Sequence, residues 1–212
     1  ETRLGIALLA ITGDAALEAH AILPKPRHVA VHGPLEISHP GGTLDLGMLP
    51  APVWLADGNI TAANRVHTSA RFCLIVENED VFFELAKSCR GILLVQSSYP
   101  GAAVRRLLAA LPAGLPIYHF GDSDPAGFDI LRDLREKSGR AIAPVFMGFR
   151  PCADAPTLSA VERDLCQRLL ANAAMADVAP QLQAILAADS KGSFEQESLP
   201  LAGIVHELAI MT

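Results

Sequence analysis

The sequence has no long hydrophobic run, no paired cysteine motif and no excess of basic residues. No apolar stretch reaches the roughly 18–20 residues that a membrane-spanning helix needs, so we expect no membrane segment. The first residues begin with an acidic side chain and contain no small-residue cleavage site, which argues against a secretory signal peptide. Because the chain begins at Glu1 rather than at a methionine, we also expect a fragment of a longer protein.

The cysteines are few and scattered. Cys73, Cys89, Cys152 and Cys166 form no C-x-x-C pair and have no histidine at a zinc-ligand spacing. Two of them, Cys73 and Cys89, lie in apolar segments, where a reduced and buried thiol is the commoner state. We therefore expect free thiols and a reducing, cytoplasmic location.

Basic residues are outnumbered, since 17 Lys and Arg face 23 Asp and Glu for a net charge of −6. Proteins that bind nucleic acid unaided usually carry a basic face, so this balance argues against a self-sufficient DNA-binding surface. Basic side chains do cluster at 105–106 and at 132–140. Solvated helix surfaces are the ordinary interpretation of such clusters, and a strip that contacts phosphates is the alternative.

After residue 70 the sequence alternates regularly between short apolar runs and amphipathic segments. The runs "CLIV", "ILLVQ", "PIYHF" and "APVFMG" predict four buried strands, and the segments between them predict helices. Strands that alternate with helices form a parallel sheet with right-handed crossovers. We therefore predict an α/β fold with a four-stranded, Rossmann-like parallel sheet flanked by helices. Residues 157–174 and 179–189 predict further helices on one flank.

Residues 1–70 are richer in proline, glycine and histidine. Residues 28–31 and 35–37 predict small strands, separated by Gly-Pro and Pro-Gly-Gly turns. We therefore divide the chain at residue 70. Residues 1–70 form a β-containing N-terminal segment, interpreted as the remnant of an upstream region, and residues 71–212 form the α/β domain with a C-terminal helical extension.

Acidic residues follow two of the predicted strands. Glu77 comes directly after the first strand, and Asp122 and Asp124 follow the third in "GDSDPAG". The carboxyl ends of parallel strands lie along one edge of a sheet, so the three carboxylates converge if these strands are neighbours. Such carboxylates repel one another unless a cation or a proton is present, and hard oxygen ligands suit Mg²⁺ or Mn²⁺. This pattern favours metal-assisted phosphoryl transfer or phosphodiester hydrolysis.

The same aspartates also fit a purely structural interpretation. Asp124 before Pro125 is typical of a helix start, with aspartate as the N-cap and proline at the first helical position. Asp122 after a glycine fits a simple turn. Glu77 favours the metal interpretation, because a carboxylate that ends an apolar strand is partly buried without a cation in its own segment. The residues by themselves leave both interpretations open.

Three motifs in order resemble a known domain. The "VEN" that closes the first strand and the later G-D-x-D-x-x-G before a helix resemble the Toprim domain shared by topoisomerases, primases and certain nucleases. The longer strings "CLIVENEDVFFEL", "YHFGDSDPAGFDILRDLR" and "SFEQESL" are similar to the C-terminal Toprim domain of the JetD family, the nuclease subunit of Wadjet plasmid defence. The resemblance covers approximately residues 71–200 and makes the predicted fold a Toprim fold.

The JetD resemblance implies a metal-dependent DNA endonuclease that cleaves foreign or plasmid DNA within an SMC-like defence complex. It implies Mg²⁺ or Mn²⁺ as cofactor, and it implies DNA, the SMC-like ATPase subunits and a second copy of the chain as partners, with no membrane. Glu77 corresponds to a metal ligand or general base, and Asp122 and Asp124 correspond to metal ligands. Glu195 and Glu197 are accessory candidates, for which a solvated or capping pair at a helix start is the structural alternative.

The tyrosine content sets this chain apart from one relative of the domain. The topoisomerase VI A-subunit cleaves DNA through a tyrosine on a separate helical module, whereas Tyr99 and Tyr118 both lie inside the predicted α/β unit. Water is therefore the expected nucleophile. Two other classes stay open: a non-catalytic Toprim-like module that binds DNA or a partner, and a haloacid-dehalogenase-like phosphatase, which carries its D-x-D after the first strand rather than the third.

Overall fold

The computed structural model describes residues 27–211, which fold into two β-sheets and surrounding helices. The strands are β1 (His28–His32), β2 (Leu35–His39), β3 (Gly42–Asp45), β4 (Val53–Ala56), β5 (Arg65–Thr68), β6 (Cys73–Val76), β7 (Leu93–Gln96), β8 (Ile117–Phe120) and β9 (Ala143–Pro144). The α-helices are α1 (Glu79–Ser88), α2 (Ala102–Ala110), α3 (Pro125–Ser138), α4 (Ala160–Leu170), α5 (Ala179–Ala188) and α6 (Leu201–Ile210). Short 3₁₀ helices occupy Leu46–Met48, Asp57–Asn59, Ala173–Val178 and Gln196–Ser198.

The predicted four-stranded parallel sheet is present, in the order β7-β6-β8-β9. Strand β6 lies between β7 and β8, and its last residue Val76 is in register with Phe120 of β8. The first and third predicted strands are therefore neighbours, as convergence of the carboxylates requires. Strand β9 has only two residues. Pro144 offers no backbone N–H to a ladder, and Phe146, with φ of 60°, turns the chain away from the sheet.

The N-terminal region contributes strands to both sheets. The predicted strands at 28–31 and 35–37 are confirmed as β1 and β2. Strand β1 pairs antiparallel with β7 and with β4, which extends the parallel sheet to six strands, whereas β3, β2 and β5 form a separate antiparallel sheet. That residues 1–70 derive from an upstream region stays a prediction, and residues 1–26 lie outside the described part of the chain.

Helices cover both faces of the parallel sheet. The four residues of β6 are all buried, with Cys73 and Ile75 in one hydrophobic cluster and Leu74 and Val76 in the other. This explains why the strand is apolar at every position. The helices α2 and α3 pack in the first cluster, and α1 packs in the second with α6, which the sequence reasoning did not predict.

The helix starts follow local capping chemistry. Helix α1 begins after Asn78, whose side chain accepts a hydrogen bond from the backbone N–H of Val81 at 3.0 Å. Helix α2 begins after Gly101, which is its N-cap, and Pro100 lies outside the helix.

Two bulk expectations can be compared with the described residues. Each of the four cysteines is a free thiol, and all but Cys152 are buried. Within residues 27–211, no helix combines the length and the apolar character needed to span a bilayer.

Candidate active site

The ends of β6 and β8 bring two of the predicted site residues into direct contact. The backbone N–H of Glu77 donates to the carbonyl oxygen of Phe120 at 3.0 Å, so the two strands stay paired to their last residues. The backbone N–H of Asp122 then donates to Oε2 of Glu77 at 3.2 Å, across 45 positions of sequence. We call the carboxylates of Glu77, Asp122 and Asp124 the acidic edge.

Gly121 fits between Glu77 and a buried histidine. A Cβ atom at this position would lie 2.5 Å from Nε2 of His119 and 2.8 Å from Oε2 of Glu77. His119 is fully buried, neither of its ring nitrogens has a hydrogen-bond partner among the described residues, and burial lowers its pKa to about 3. The neutral imidazole of His119 therefore lies in the protein interior beside Gly121 and close to Glu77. Sequence reasoning gave no signal for this histidine.

Asp124 caps helix α3, with Pro125 in the first helical turn as the sequence predicts. Its Oδ1 accepts a hydrogen bond from the backbone N–H of Gly127 at 2.9 Å, and its Oδ2 lies 3.5 Å from Nζ of Lys191. The same ammonium group is 2.8 Å from Oε1 of Glu162. Both oxygens of the buried Asp124 carboxylate therefore face partners within the protein, and its role as a metal ligand stays a prediction.

Gly127 permits the tight turn that carries the two aspartates. A Cβ atom on Gly127 would lie only 2.1 Å from the carbonyl oxygen of Asp122. Real Cβ atoms do not approach a backbone oxygen so closely, so the G-D-x-D-x-x-G motif needs its last glycine for the turn to pack on the helix start.

Glu77 and Asp122, which are joined through the backbone N–H of Asp122, are also the two members of the acidic edge with raised pKa values. Burial, reinforced by the charges of Asp122, Asp124 and Glu197, raises the pKa of Glu77 to about 7. Burial, reinforced by the charges of Asp124, Glu197 and Glu195, raises the pKa of Asp122 to about 6. The acidic edge thus holds more negative charge than its surroundings stabilise, which is the condition under which carboxylates take up a cation or a proton.

The late acidic segment reaches the same edge. Glu197 accepts a hydrogen bond from the side-chain amide of Asn78, and the backbone carbonyl of Glu195 accepts one from Arg150 at 3.3 Å. Both glutamates are exposed, at the start of the 3₁₀ helix Gln196–Ser198. The structure therefore places the two accessory candidates beside the acidic edge, and their participation stays a prediction.

The residue between them was missed by sequence reasoning. Gln196 is 1% exposed, and its backbone N–H donates to Oδ1 of Asp122 at 3.0 Å. Its side chain also bonds the backbone beside both carboxylates. A glutamine in a polar segment usually lies at the surface, so its burial could not be predicted locally.

The donor chemistry of the acidic edge fits Mg²⁺ or Mn²⁺. Within residues 27–211, no group of three or more His, Cys, Asp or Glu side chains is already arranged around one point as a metal-binding cluster. Glu77 and Asp122 nevertheless offer two hard carboxylates without an ion-pair partner among the described residues. Mg²⁺ commonly binds through one or two carboxylates, several waters and substrate phosphates, so two open ligands suffice.

Most side chains of the two basic clusters have partners within the chain. The cations of 132–140 all have close partners: Arg132 with Asp129 at 2.7 Å, Arg135 with Asp177 at 2.7 Å, Lys137 with Asp133 at 2.7 Å, and Arg140 with the carbonyl oxygens of Leu108 and Leu111 at 2.9 Å. Arg106 lies 3.6 Å from Asp57. The cations of 132–140 are paired within the chain and therefore do not form a free phosphate-contacting strip, and Arg135 and Arg140 are not part of a solvated helix surface.

Both tyrosines lie within the α/β unit, as expected. Tyr118 belongs to β8 and packs edge-on against Phe72. Tyr99 follows β7 and donates its hydroxyl to Oδ2 of Asp129 at 2.8 Å. Tyr99 is about half exposed, and its partial burial and this hydrogen bond raise its pKa to about 12, which disfavours ionisation of the hydroxyl.

Several curated proteins are similar to this chain. Wadjet protein JetD of Bacillus cereus strain Q1 is 26% identical over 137 residues, which cover 62% of this chain and 34% of that protein. The A-subunit of type 2 DNA topoisomerase 6 of Hyperthermus butylicus is 29% identical over 120 residues, 53% of this chain and 31% of that protein. Meiotic recombination protein SPO11-1 of Oryza sativa subsp. indica is 42% identical over 80 residues, 34% of this chain and 21% of that protein.

The chain spans about a fifth to a third of the length of these relatives. The sequence model of the family described as "Wadjet protein JetD, C-terminal" matches residues 49–208, which is well over half of the chain. The match includes every residue of the acidic edge and the late acidic segment. This chain belongs to the JetD C-terminal family, and its resemblance to JetD and to the related topoisomerase VI A-subunit is confirmed.

Proposed function

We propose that this chain is the Toprim nuclease domain of a metal-dependent DNA endonuclease, which hydrolyses phosphodiester bonds of foreign or plasmid DNA. The names of its relatives, which include a recombination protein and a DNA topoisomerase, support an activity on DNA. The observation that carries the proposal is the contact between Glu77 and Asp122 at the ends of neighbouring parallel strands. Both carboxyl groups have raised pKa values there, although a purely structural role would favour a charge-neutralising partner.

Glu77 and Asp122 would hold the Mg²⁺ or Mn²⁺ ion. The ion would supply activation of a water molecule and neutralisation of the charge that develops on the phosphate. Glu77 either binds the ion or accepts the proton of the attacking water. The backbone N–H of Asp122 orients Oε2 of Glu77 for either role. Asp124 can also bind the ion if the ammonium of Lys191 moves away from Oδ2 of Asp124.

DNA affinity comes partly from outside the described surface in this proposal, because the net charge is −6, the cations of 132–140 are paired and the site itself is acidic. We propose that the SMC-like ATPase subunits, a second copy of the chain and parts of a longer protein supply the basic surface that holds the duplex. The proposal includes a cytoplasmic location, where such complexes meet plasmids.

Two alternatives predict different assays. A non-catalytic Toprim-like module is favoured by one observation, the lack of a preformed three-residue metal cluster among the described residues. Such a module binds DNA or a partner without cutting. A D-x-D phosphatase hydrolyses small phosphomonoesters, but here the aspartates follow β8, the third parallel strand along the chain, rather than the first.

The test uses the full-length protein with its partner subunits, supercoiled plasmid and Mn²⁺ or Mg²⁺. We expect Glu77→Gln and Asp122→Asn each to lower the cleavage rate by at least about a hundredfold, because each removes a ligand or a base while keeping the side-chain shape. Glu79→Gln is the matched control, since it removes an exposed charge two positions from Glu77. Unchanged cleavage by Glu77→Gln and Asp122→Asn would refute the assignment. DNA binding without cleavage by the unmodified protein would favour the binding module, and metal-dependent hydrolysis of a phosphomonoester alone would favour the phosphatase.

A further inference from the structure

Gln196 connects the two strand ends that carry the acidic edge. Its side-chain Oε1 accepts a hydrogen bond from the backbone N–H of Asn78 at 2.8 Å, and its Nε2 donates to the carbonyl oxygen of Phe120 at 2.5 Å. Its backbone N–H donates to Oδ1 of Asp122 at 3.0 Å. Asn78 directly follows Glu77, and Phe120 lies two residues before Asp122, so Gln196 bonds the backbone beside each carboxylate.

The two side-chain bonds require an amide. The backbone N–H of Asn78 needs an acceptor, and the carbonyl of Phe120, which already accepts the N–H of Glu77, takes a second hydrogen bond from a donor. One glutamine side chain offers both an acceptor and a donor. An ionised glutamate lacks the donor, and a methionine of similar length lacks both groups. Because Gln196 is 1% exposed, water cannot readily replace a lost partner.

Neighbouring contacts hold Gln196 in place. The backbone N–H of Ser123 donates to the carbonyl of Phe194 at 3.0 Å, and the backbone N–H of Ser193 donates to the carbonyl of Arg150 at 2.8 Å. The segment around Gln196 is thus anchored to the aspartate turn on one side and to the chain after β9 on the other. A side chain supported in this way restrains geometry, which is what a metal site needs from residues outside its ligand set.

We propose that Gln196 is a positioning residue, which holds Glu77 and Asp122 at the separation that a bound divalent cation requires. This inference rests on the proposed metal-binding role of the acidic edge. Gln196 does not touch the ion or the DNA. It acts through the backbone at Asn78 and Phe120 and through the carboxylate of Asp122.

The test compares Gln196→Met with Gln181→Met in the intact chain. Gln181, in α5, also uses its side-chain oxygen to bond a backbone N–H, that of Phe149 at 2.7 Å, but it makes no hydrogen bond to Asn78, Phe120 or Asp122 in the described part of the chain. The first measurement is a thermal-shift titration with Mn²⁺ alone. We expect Gln196→Met to raise the Mn²⁺ midpoint by about tenfold, the factor that corresponds to one hydrogen bond of ordinary net strength, and Gln181→Met to leave it unchanged.

The second measurement does not depend on metal. Hydrogen exchange of the Asn78 amide should become about tenfold faster in Gln196→Met, because its acceptor is lost, and should not change in Gln181→Met. Should Gln196→Met fail to fold, Gln196→Asn replaces it, since that side chain keeps the amide but is one methylene too short to reach both partners. We expect Gln196→Asn also to raise the Mn²⁺ midpoint and to speed hydrogen exchange of the Asn78 amide.

The outcomes separate this inference from the proposed function. A Mn²⁺ response that is equal in the unmodified chain and in Gln196→Met overturns the positioning role and leaves the metal site standing. A flat titration in the unmodified chain overturns the metal site. If the titration is flat and the Asn78 amide exchanges equally fast in the unmodified chain and in Gln196→Met, the connection that Gln196 makes between the two strand ends is overturned as well.

Discussion

Replacing Glu77 by glutamine should stabilise the metal-free protein above neutral pH. Burial and neighbouring charges raise the pKa of Glu77 from 4.5 to about 7. A carboxyl group with a raised native pKa stabilises the fold in its protonated form, so this contribution is fully present below pH 4.5 and is lost as the pH rises from there through 7. The shift corresponds to about 3.4 kcal/mol, at 1.36 kcal/mol per pH unit. Glu77 is partly accessible, so solvent screening reduces the expected effect to about 2 kcal/mol.

The assay is thermal and urea unfolding of the chain and of Glu77→Gln at pH 4 and pH 8, with a chelator present. Glutamine keeps the oxygen that accepts the Asp122 N–H and carries no charge, so the variant lacks the penalty at pH 8. For a protein of this length, about 2 kcal/mol raises Tm by about 4–8 °C. At pH 4 the two proteins should unfold at nearly the same temperature.

Glu79→Gln is the control for a general effect of removing acidic charge. Glu79 is exposed in the first turn of α1, where a negative charge interacts favourably with the helix dipole, so its loss should be neutral or destabilise by about 0.3–1 kcal/mol. A Glu77→Gln protein that is no more stable than the parent at pH 8 would refute the reasoning. It would mean that the Glu77 carboxylate is adequately solvated or paired in the absence of metal.

Three further predictions concern the same edge and its supports. Millimolar Mn²⁺ or Mg²⁺ should raise Tm, because the ion binds only the native arrangement, and Asp122→Asn should lose most of that response; an equal response in both proteins would contradict the site. Gly127→Ala should destabilise the chain by about 1–3 kcal/mol, because its Cβ would meet the Asp122 carbonyl at 2.1 Å, whereas Gly114→Ala enters open space and should unfold like the parent in urea. Lys191→Met should lower Tm more at pH 7 than at pH 2. Hydrogen bonds from Lys191 and from Ser159 lower the pKa of Glu162 to about 2, and the part due to Lys191 is lost as the pH falls from 4.5 through 2. An equal loss of Tm at both pH values would refute the ion pair.

Local sequence determined most of the α/β unit. Four-residue runs such as "CLIV" are apolar at every position because helices bury both faces, so short apolar runs between amphipathic segments predicted the strands. The N-caps Asn78 and Asp124 bond N–H groups three residues away, and such short-range chemistry is visible in sequence. The placement of Glu77 and Asp122 on one edge followed from parallel topology, given that β6 and β8 are neighbours.

Tertiary structure decided the features that depend on distant partners. Strand β1 joins the parallel sheet because it pairs with β7, and no local pattern reveals a partner more than sixty residues away. The ammonium of Lys191 lies 3.5 Å from Asp124, 67 positions earlier, and Gln196 is buried because its partners at Asn78 and Phe120 come from two separate strand ends. Sequence alone predicts that a polar side chain is exposed, since burial is favourable only where folding supplies every hydrogen bond that water would otherwise make. The sequence by itself therefore identified the carboxylates, and only the folded chain showed that Glu77 and Asp122 have no ion-pair partner among the described residues and that Gln196 bonds the backbone beside them.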